Sequence, residues 1–269
     1  MTRPAWRLVM DGARSGAVNM ALDVVLLEGA ASGEAPPTVR FYGWAPPCLS
    51  LGRHQPAGAA DLAFCRKEGI DVVRRPTGGR AVLHHRELTY AVTAPVDGVV
   101  LPAAVQAAYR RIAGALAAGL RELGVDAGLS EDPARGALPR PTESVPCFRA
   151  PAGGEVVAGG RKLAGSAVRL KGGAILQHGS ILLDWDGRLQ AGALGLPDDG
   201  ALRPHVTTLA DRLGELPAPP DIARVLAGAL ARGLGVELTP GRLERRELEA
   251  AAARADAYRI GVETAPAPR

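Results

Sequence analysis

The sequence predicts an α+β fold in a single domain, with a mixed, mainly antiparallel sheet flanked by helices. Segments with the composition of β-strands follow one another as hairpins, without the regular strand–helix alternation that builds parallel sheets. Longer segments place apolar residues at helical spacing. The 269 residues, of which 47% are hydrophobic, are enough for one large core. We therefore expect residues 1–269 to form one domain, with a disordered tail over residues 262–269.

The first half of the chain contains a helix followed by a series of strands. Met20, Val24 and Leu27 are at helical spacing within residues 16–31 and predict a helix there. After it we predict two strands, over residues 38–44 and 48–52, joined by a proline-containing turn. A short helix over residues 61–69 ends at Gly69, and three strands separated by turns follow over residues 70–95.

The second half begins with an amphipathic helix over residues 103–123, whose apolar face is formed by Val105, Tyr109, Ile112, Leu116, Leu120 and Leu123. The turn at residues 171–173 joins two predicted strands that pair with each other. The segments on either side of these strands are irregular or rich in turns, over residues 125–145 and 184–219. Two final helices are predicted over residues 221–235 and 241–259.

The charge and the cysteine count restrict the partners and the compartment. The formal charge is +4, but no basic run is present and only 4% of the residues are aromatic, so nucleic-acid binding is not predicted. Acidic proteins remain suitable partners. No apolar run approaches the roughly 18 residues of a membrane span, and no signal peptide is visible. An odd number of cysteines, three, argues against a disulfide framework and favours a reducing cytoplasm.

Cys147 lies in a loop rich in proline and glycine, and Lys162 begins the strand that follows. A free thiol has a pKa of about 8.5, which a nearby ammonium lowers. If the chain folds back between the two residues, a Cys147 thiolate could attack an acyl carbonyl and form a thioester. The alternative is that Cys147 is an incidental small residue and Lys162 a solvated surface charge. Residue type and loop context leave both interpretations open.

A second motif is the glycine pair in RRPTGGRAVLH, at residues 78 and 79. Glycine allows positive φ and close approach of a ligand to the backbone, whose N–H groups could receive an oxyanion or a carboxylate. The alternative is a plain hairpin turn. Basic side chains surround the turn and favour a ligand: Arg74, Arg75, Arg80 and His84.

The third motif is GRKLAGSAVRL, in which strand alternation predicts one shared face for Lys162, Ala164, Ser166 and Val168. Small side chains along that face would allow a thin apolar ligand to lie against the backbone. A tightly packed hairpin is the alternative. On the next strand His178 is either a structural hydrogen-bonding residue or a base. No metal-ligand spacing connects the candidates His84, His85, Cys147 and His178, so we predict no metal.

Taken together, the motifs resemble the lipoate/biotin protein ligase superfamily over roughly residues 15–185, in the order NMALD, PPCLSLGRHQ, RRPTGGRAVLHHRELTY, PCF, GRKLAGSAVR and ILQHGSILL. Within it the chain is most similar to the cysteine-dependent octanoyltransferase branch. Two features carry this similarity. Arg80 stands where ATP-dependent lipoate ligases more often have a third glycine, and the PCF loop precedes GRK. The segment FRAPAGGE departs from the pattern because it lacks an aromatic residue, and Val168 replaces a common glutamine.

The resemblance implies the fold of that superfamily's catalytic domain, with the catalytic region over residues 34–240. It implies that Cys147 carries the acyl group as a thioester and that Lys162 lowers the thiol pKa and orients the carbonyl. Octanoyl-acyl carrier protein would be the donor, and a lysine of a lipoyl domain or of glycine-cleavage H protein the acceptor. We expect a cytoplasmic monomer that needs no cofactor. Substrate binding is predicted for Arg74, Gly78, Gly79, Arg80, Leu83, His84, Gly165, Ser166, Ala167, His178 and Ile181.

Three alternatives remain. An ATP-dependent lipoate or octanoate ligase would use Lys162 at an acyl-adenylate and would leave Cys147 without a role. A lipoyl-protein octanoyl amidotransferase would use the same cysteine chemistry with a different donor. A non-catalytic module that binds acyl-carrier or biotinyl-carrier proteins would show an unreactive Cys147.

Overall fold

The computed structural model describes residues 3–131 and 153–261. The helices in these ranges are α1 (Gly16–Ser32), α2 (Leu62–Lys67), α3 (Val105–Glu122), α4 (Gly187–Ala193), α5 (Pro219–Leu234) and α6 (Arg245–Arg254). The strands are β1 (Ala5–Arg14), β2 (Thr38–Trp44), β3 (Cys48–Leu51), β4 (Asp71–Arg74), β5 (Val82–His84), β6 (Glu87–Pro95), β7 (Ala127–Leu129), β8 (Val156–Ala158), β9 (Arg161–Lys171), β10 (Ala174–Leu182) and β11 (Glu237–Gly241). The predicted tail over residues 262–269 lies outside the described ranges.

Within the described residues, the large sheet has eight strands in the order β11-β1-β2-β6-β10-β9-β8-β7. The strands β11, β1 and β2 run parallel, and every other pairing in this sheet is antiparallel. This arrangement confirms the predicted mixed, mainly antiparallel sheet flanked by helices. The long β9–β10 hairpin lies next to β6, so these three strands form the middle of the sheet.

A second, three-stranded sheet has the order β4-β3-β5. The strand β3 pairs in parallel with β4 and antiparallel with β5, so β4 and β5 are not neighbours. The glycine pair at residues 78–79 therefore lies on a connection that passes from one side of β3 to the other. The alternative of a plain hairpin turn is wrong, because both flanking strands use their hydrogen bonds on β3.

Different helices pack on the two faces of the large sheet. The main core lies under α3 and α5, where Ile112, Leu116, Leu226 and Leu230 are fully buried. The helix α1 covers part of the other face and is enclosed by β6, β10 and α6. Eleven of its 17 residues are buried, so its apolar residues extend around the helix and do not form a single stripe.

Some elements were not predicted from the sequence. The strand β1 contains Arg7, Asp11 and Arg14, which interrupt its apolar alternation, although Arg7 is buried in an ion pair with Glu247 (2.6 Å). The edge strand β11 contains a proline, and α4 lies in the segment predicted to be rich in turns. No helix in the described part of the chain is long and apolar enough to cross a membrane.

Candidate active site

Lys162 is buried at the start of β9, and its ammonium lies 2.6 Å from Glu155 Oε1. A bulge in the β8–β9 register places Ala164 opposite Val156 and Lys162 opposite Val157. As a result Leu163 and Ala164 both pack into the main core. Lys162 therefore points to the other face of the sheet, and the predicted shared face with Ala164 is wrong because the bulge breaks the alternation.

Gly165 makes room for this ammonium. A Cβ at Gly165 would lie 2.8 Å from Lys162 Cε and 3.0 Å from Lys162 Nζ, so the lysine side chain crosses the bare backbone of this residue. Taking a charge out of water is costly, and the carboxylate of Glu155 offsets that cost at Lys162. The structure thus holds a buried, paired cation on the face of β9 opposite the main core.

The same face of β10 carries His178 and Ser180. His178 is opposite Ala167, and Ser180 is opposite Gly165 in the antiparallel register. The His178 Nδ1 group donates to Asp23 Oδ2 (2.8 Å), since a carboxylate can only accept, and its Nε2 lies 2.7 Å from Thr77 Oγ1. His178 therefore connects the glycine-containing connection between β4 and β5 to the large sheet.

The buried Arg75 side chain holds the connection between β4 and β5 by hydrogen bonds to its backbone. Its guanidinium donates to the carbonyl oxygens of Gly78 (2.8 Å), Arg80 (2.6 Å) and Ser50 (2.9 Å). Gly79 has a φ of 90°, in the region that favours glycine. A planar guanidinium with several fixed donors is well suited to hold a loop through its carbonyl groups. The backbone around the glycine pair is therefore held in one conformation.

Arg74, predicted to bind substrate, donates hydrogen bonds to the neighbouring loop over residues 52–55. Its Nη1 group donates to the carbonyl oxygens of Gly52 (3.1 Å) and Gln55 (2.5 Å). The two loops also touch directly, because the Arg53 N–H donates to the Thr77 carbonyl at 2.9 Å. The contacts of Arg74 explain a supporting role, and its substrate-binding role stays a prediction.

We expect the substitution Gly52→Ala to separate these two loops. A Cβ at Gly52 would lie 1.9 Å from the Gly79 carbonyl oxygen, which is a backbone atom that cannot rotate away. Overpacking of this kind costs about 1–3 kcal/mol of the free energy of unfolding, measurable by urea denaturation. Gly58→Ala is the control, because no atom lies within 4 Å of that Cβ position. Equal stability of the two variants would contradict the prediction.

A buried network extends from His178 to the first helix. Asp23 accepts from the Tyr42 hydroxyl (2.9 Å) and from Arg40 (3.1 Å), and Arg40 also donates to Asn19 (2.6 Å) and Asp11 (2.8 Å). Burial, and then the negative charge of Asp23, raise the pKa of Tyr42 well above its usual value. Sequence reasoning missed this network. The available signal was an asparagine and an aspartate one turn apart in the otherwise apolar segment NMALD.

His84, on β5 of the small sheet, also makes a contact through each of its ring nitrogens. Its Nε2 lies 2.7 Å from Ser50 Oγ, and its Nδ1 donates to Glu87 Oε1 (3.0 Å). Its ring stacks on Trp44 with centroids 3.9 Å apart. These contacts join the small sheet to the large one, so the geometry of His84 is that of a structural residue.

Two of the three cysteines are poor nucleophiles. Cys48 is fully buried, and burial followed by the charge of Asp71 raises the pKa of its thiol well above the usual range. Burial also raises the pKa of Cys65 to about 11. Cys147 lies outside the described residues, so its role as nucleophile stays a prediction. The thiolate is the reactive form, and both described thiols are held protonated near neutral pH.

The other predicted site residues divide between the two faces. Gly165, Ala167 and His178 share the face of Lys162. Ser166 faces the main core, where its Oγ lies 2.6 Å from the Tyr90 hydroxyl. Burial raises the pKa of this Tyr90 hydroxyl to about 12.

Two of the predicted substrate-binding residues, Leu83 and Ile181, lie apart from this site. Leu83 is buried in the small cluster between β3, β5, α2 and α4. Ile181 is buried in the main core on the opposite face from Lys162. These positions do not support contact with an acyl group at Lys162. Within residues 3–131 and 153–261, no cluster of three or more His, Cys, Asp or Glu side chains could hold a metal ion.

Comparisons with known proteins agree with this architecture. The profile of the lipoyl protein ligase A/B catalytic domain matches residues 15–231. Octanoyltransferase LipM of Symbiobacterium thermophilum is 44% identical over 253 residues, 90% of this chain and 91% of the relative. The octanoyltransferase LipM of Kyrpidia tusciae is 41% identical over 91% of this chain and 93% of the relative.

Solved structures of low sequence identity share the fold. Protein Ta0514, a putative lipoate protein ligase from T. acidophilum with bound lipoic acid, superposes with a TM-score of 0.77 at 21% identity, over 94% of this chain and 95% of that chain. Lipoate-protein ligase A bound with ATP gives a TM-score of 0.75 at 22% identity, over 95% of each chain. The predicted resemblance to the ligase catalytic domain is confirmed at the level of the fold.

Proposed function

Because this chain belongs to the lipoyl protein ligase A/B catalytic domain family, we propose that it is an octanoyltransferase of lipoate biosynthesis. The observation that carries the proposal is its 44% identity, over nine-tenths of its length, to a protein named octanoyltransferase. The buried cation of Lys162, on a face with a bare glycine, supports an acyl-transfer site. We further propose that the donor is octanoyl-acyl carrier protein and the acceptor is a lysine of a lipoyl domain or of glycine-cleavage H protein.

The proposed reaction has two steps. In the first, the Cys147 thiolate attacks the carbonyl carbon of the donor thioester, and the bond to the donor sulfur breaks, releasing the carrier's thiolate, which takes up a proton from solvent. In the second, the acceptor lysine amine attacks the octanoyl-Cys147 thioester and forms an amide, which releases Cys147. The neutral amine loses one proton to solvent as the amide forms, and the Cys147 thiolate is regenerated. The donor thioester is already activated, so no ATP is consumed.

Lys162 would stabilise the negative charges of this reaction. Its ammonium is excluded from water, and electrostatic interactions are stronger there than at a surface. Glu155 holds the ammonium in place over Gly165. A thiolate or an oxyanion next to this cation is favoured over its neutral form. The N–H groups near residues 78–79 and 165–166 are further candidates for contact with the oxyanion.

A direct test compares two acyl donors. Purified protein incubated with octanoyl-acyl carrier protein, without ATP, is expected to gain one octanoyl group by intact-protein mass spectrometry and to pass it to an acceptor domain. Free octanoate with ATP is expected to give neither product. Activity with octanoate and ATP alone would support the ligase alternative. Transfer only from an octanoylated lipoyl protein would support the amidotransferase alternative.

A reducing cytoplasm suits this proposal. A cysteine nucleophile needs a free thiol, and the two cysteines in the described ranges are free and buried. A mild positive charge of the chain also suits acidic protein substrates, because complementary charge raises encounter rates.

A further inference from the structure

The Ser180 hydroxyl is buried without a hydrogen-bond partner in the described part of the chain. Only 3% of this residue is exposed. Buried hydroxyl groups in folded proteins are nearly always satisfied, so an orphan in the middle of a regular sheet needs an explanation. Leaving such a group unpaired destabilises the fold by the desolvation cost of the hydroxyl.

Ser180 differs from the other buried orphan atoms in the described ranges, which are Glu87 Oε2, Gln177 Oε1 and Gln190 Oε1. Each of those residues makes a hydrogen bond through its second polar atom. They are carboxylate or amide oxygens and can only accept. Ser180 has one polar side-chain atom, which makes no hydrogen bond to a described residue and which can donate a proton as well as accept one.

The position of Ser180 places this donor beside Lys162. Ser180 is directly opposite Gly165 on β9, and opposed residues of an antiparallel pair have Cβ positions about 5 Å apart on one face. The Lys162 ammonium lies 3.0 Å from the Cβ position of Gly165. The hydroxyl and the ammonium therefore occupy adjacent positions on one face of the large sheet.

The neighbour of Ser180 on β6 does not form a hydrogen bond with its hydroxyl. Thr89 is opposite Ser180 on β6, but its hydroxyl accepts from the Trp44 indole (2.7 Å) and donates to Glu87. His178 lies two residues before Ser180 on β10, on the same face, and both of its ring nitrogens already make hydrogen bonds. Neither Thr89 nor His178 therefore satisfies the Ser180 hydroxyl, and its other cross-strand neighbour is Gly165, over which the Lys162 ammonium lies.

We propose that the Ser180 hydroxyl is a catalytic donor that hydrogen-bonds the acyl carbonyl oxygen and stabilises the oxyanion together with Lys162. The inference rests on the proposed octanoyl transfer. A carbonyl oxygen satisfies the hydroxyl, whereas the methylene chain of an octanoyl group would leave it unpaired. The hydroxyl therefore contacts the reacting end of the substrate. Its donor strength is needed most when negative charge develops on that oxygen.

The test is the pair of variants Ser180→Ala and Thr93→Val, measured for stability and for the single-turnover rate of octanoyl-enzyme formation from octanoyl-acyl carrier protein. Thr93 is a buried hydroxyl on the same face of the sheet, distant from Lys162, and it donates to the Thr38 carbonyl at 3.5 Å. Removal of one oxyanion donor lowers the rate by about 10²–10³-fold. Ser180→Ala is expected to show such a loss with unchanged or higher stability, because this hydroxyl makes no hydrogen bond to the residues that the structure describes.

Thr93→Val is expected to react at the wild-type rate. A wild-type rate in Ser180→Ala would overturn the proposal, and so would a marked loss of stability, which would show that the hydroxyl has a structural partner. Absence of octanoyl-enzyme in the wild-type protein would contradict the proposed function itself. That result is distinguishable because it does not depend on residue 180.

Discussion

The variant Cys147→Ala is expected to form no octanoyl adduct and to lose more than about 10³-fold in octanoyl transfer, because removal of the nucleophile in covalent catalysis removes the intermediate. The measurement is intact-protein mass spectrometry after incubation with octanoyl-acyl carrier protein, followed by an assay with an acceptor domain. Cys48→Ala and Cys65→Ala are the matched controls, and each is expected to acquire one octanoyl group.

Cys48→Ala and Cys65→Ala are suitable controls because both of these thiols are buried. Cys48 is enclosed between α1 and the small sheet, and Cys65 packs into the cluster around β3 and β5. Their pKa values are raised by burial, so the thiolate fraction near neutral pH is very small. If Cys147→Ala kept a stoichiometric adduct while Cys48→Ala or Cys65→Ala lost it, the assignment of Cys147 would be wrong.

Removing Glu155 is expected to destabilise the fold strongly. The substitution Glu155→Ala breaks the buried ion pair with the Lys162 ammonium, and breaking a buried pair from one side costs about 3–5 kcal/mol. Urea unfolding of the variant is expected to show a correspondingly lower midpoint. The acylation rate of the folded fraction is also expected to fall, because the ammonium is no longer held over Gly165.

A double variant separates stability from chemistry. Replacing both charges, Glu155→Leu together with Lys162→Met, removes the buried cation together with its carboxylate and is expected to recover most of the lost stability. Octanoyl transfer is expected to stay low, because the cation is missing. The surface pair Arg245 and Glu249 provides a control, since breaking an exposed i,i+4 pair costs about 0.5 kcal/mol or less. A similar small cost for Glu155→Ala would show that the buried pair does not support the fold.

Several parts of the candidate site could be predicted from neighbouring residues in the chain. The motifs placed the glycine pair, Lys162, Gly165 and His178 on the elements where the structure has them, because turn residues and apolar periodicity are local signals. The contacts of His178 with Asp23 and Thr77 connect residues that are 155 and 101 positions apart, and no local pattern predicts them.

Other features depended on strand pairing. The bulge that turns Lys162 to the opposite face from Ala164 is a property of the β8–β9 register, and alternation within GRKLAGSAVRL cannot show it. The order β4-β3-β5 likewise decides that the glycine pair lies on a crossing connection. Leu83 and Ile181 are both apolar strand residues, but only the sheet arrangement shows that they belong to two different cores.

The sequence by itself determined the α+β class, the position of most helices and central strands, the family motifs and Lys162 as a candidate cation, because each depends on residue type and short-range spacing. The tertiary structure alone decided which face of the sheet carries the candidate site, which carboxylate pairs with Lys162, and that the Ser180 hydroxyl has no hydrogen-bond partner among the described residues. The physical reason is that burial, ion pairing and hydrogen-bond satisfaction are properties of residues brought together from distant strands. They exist only when the whole sheet has formed.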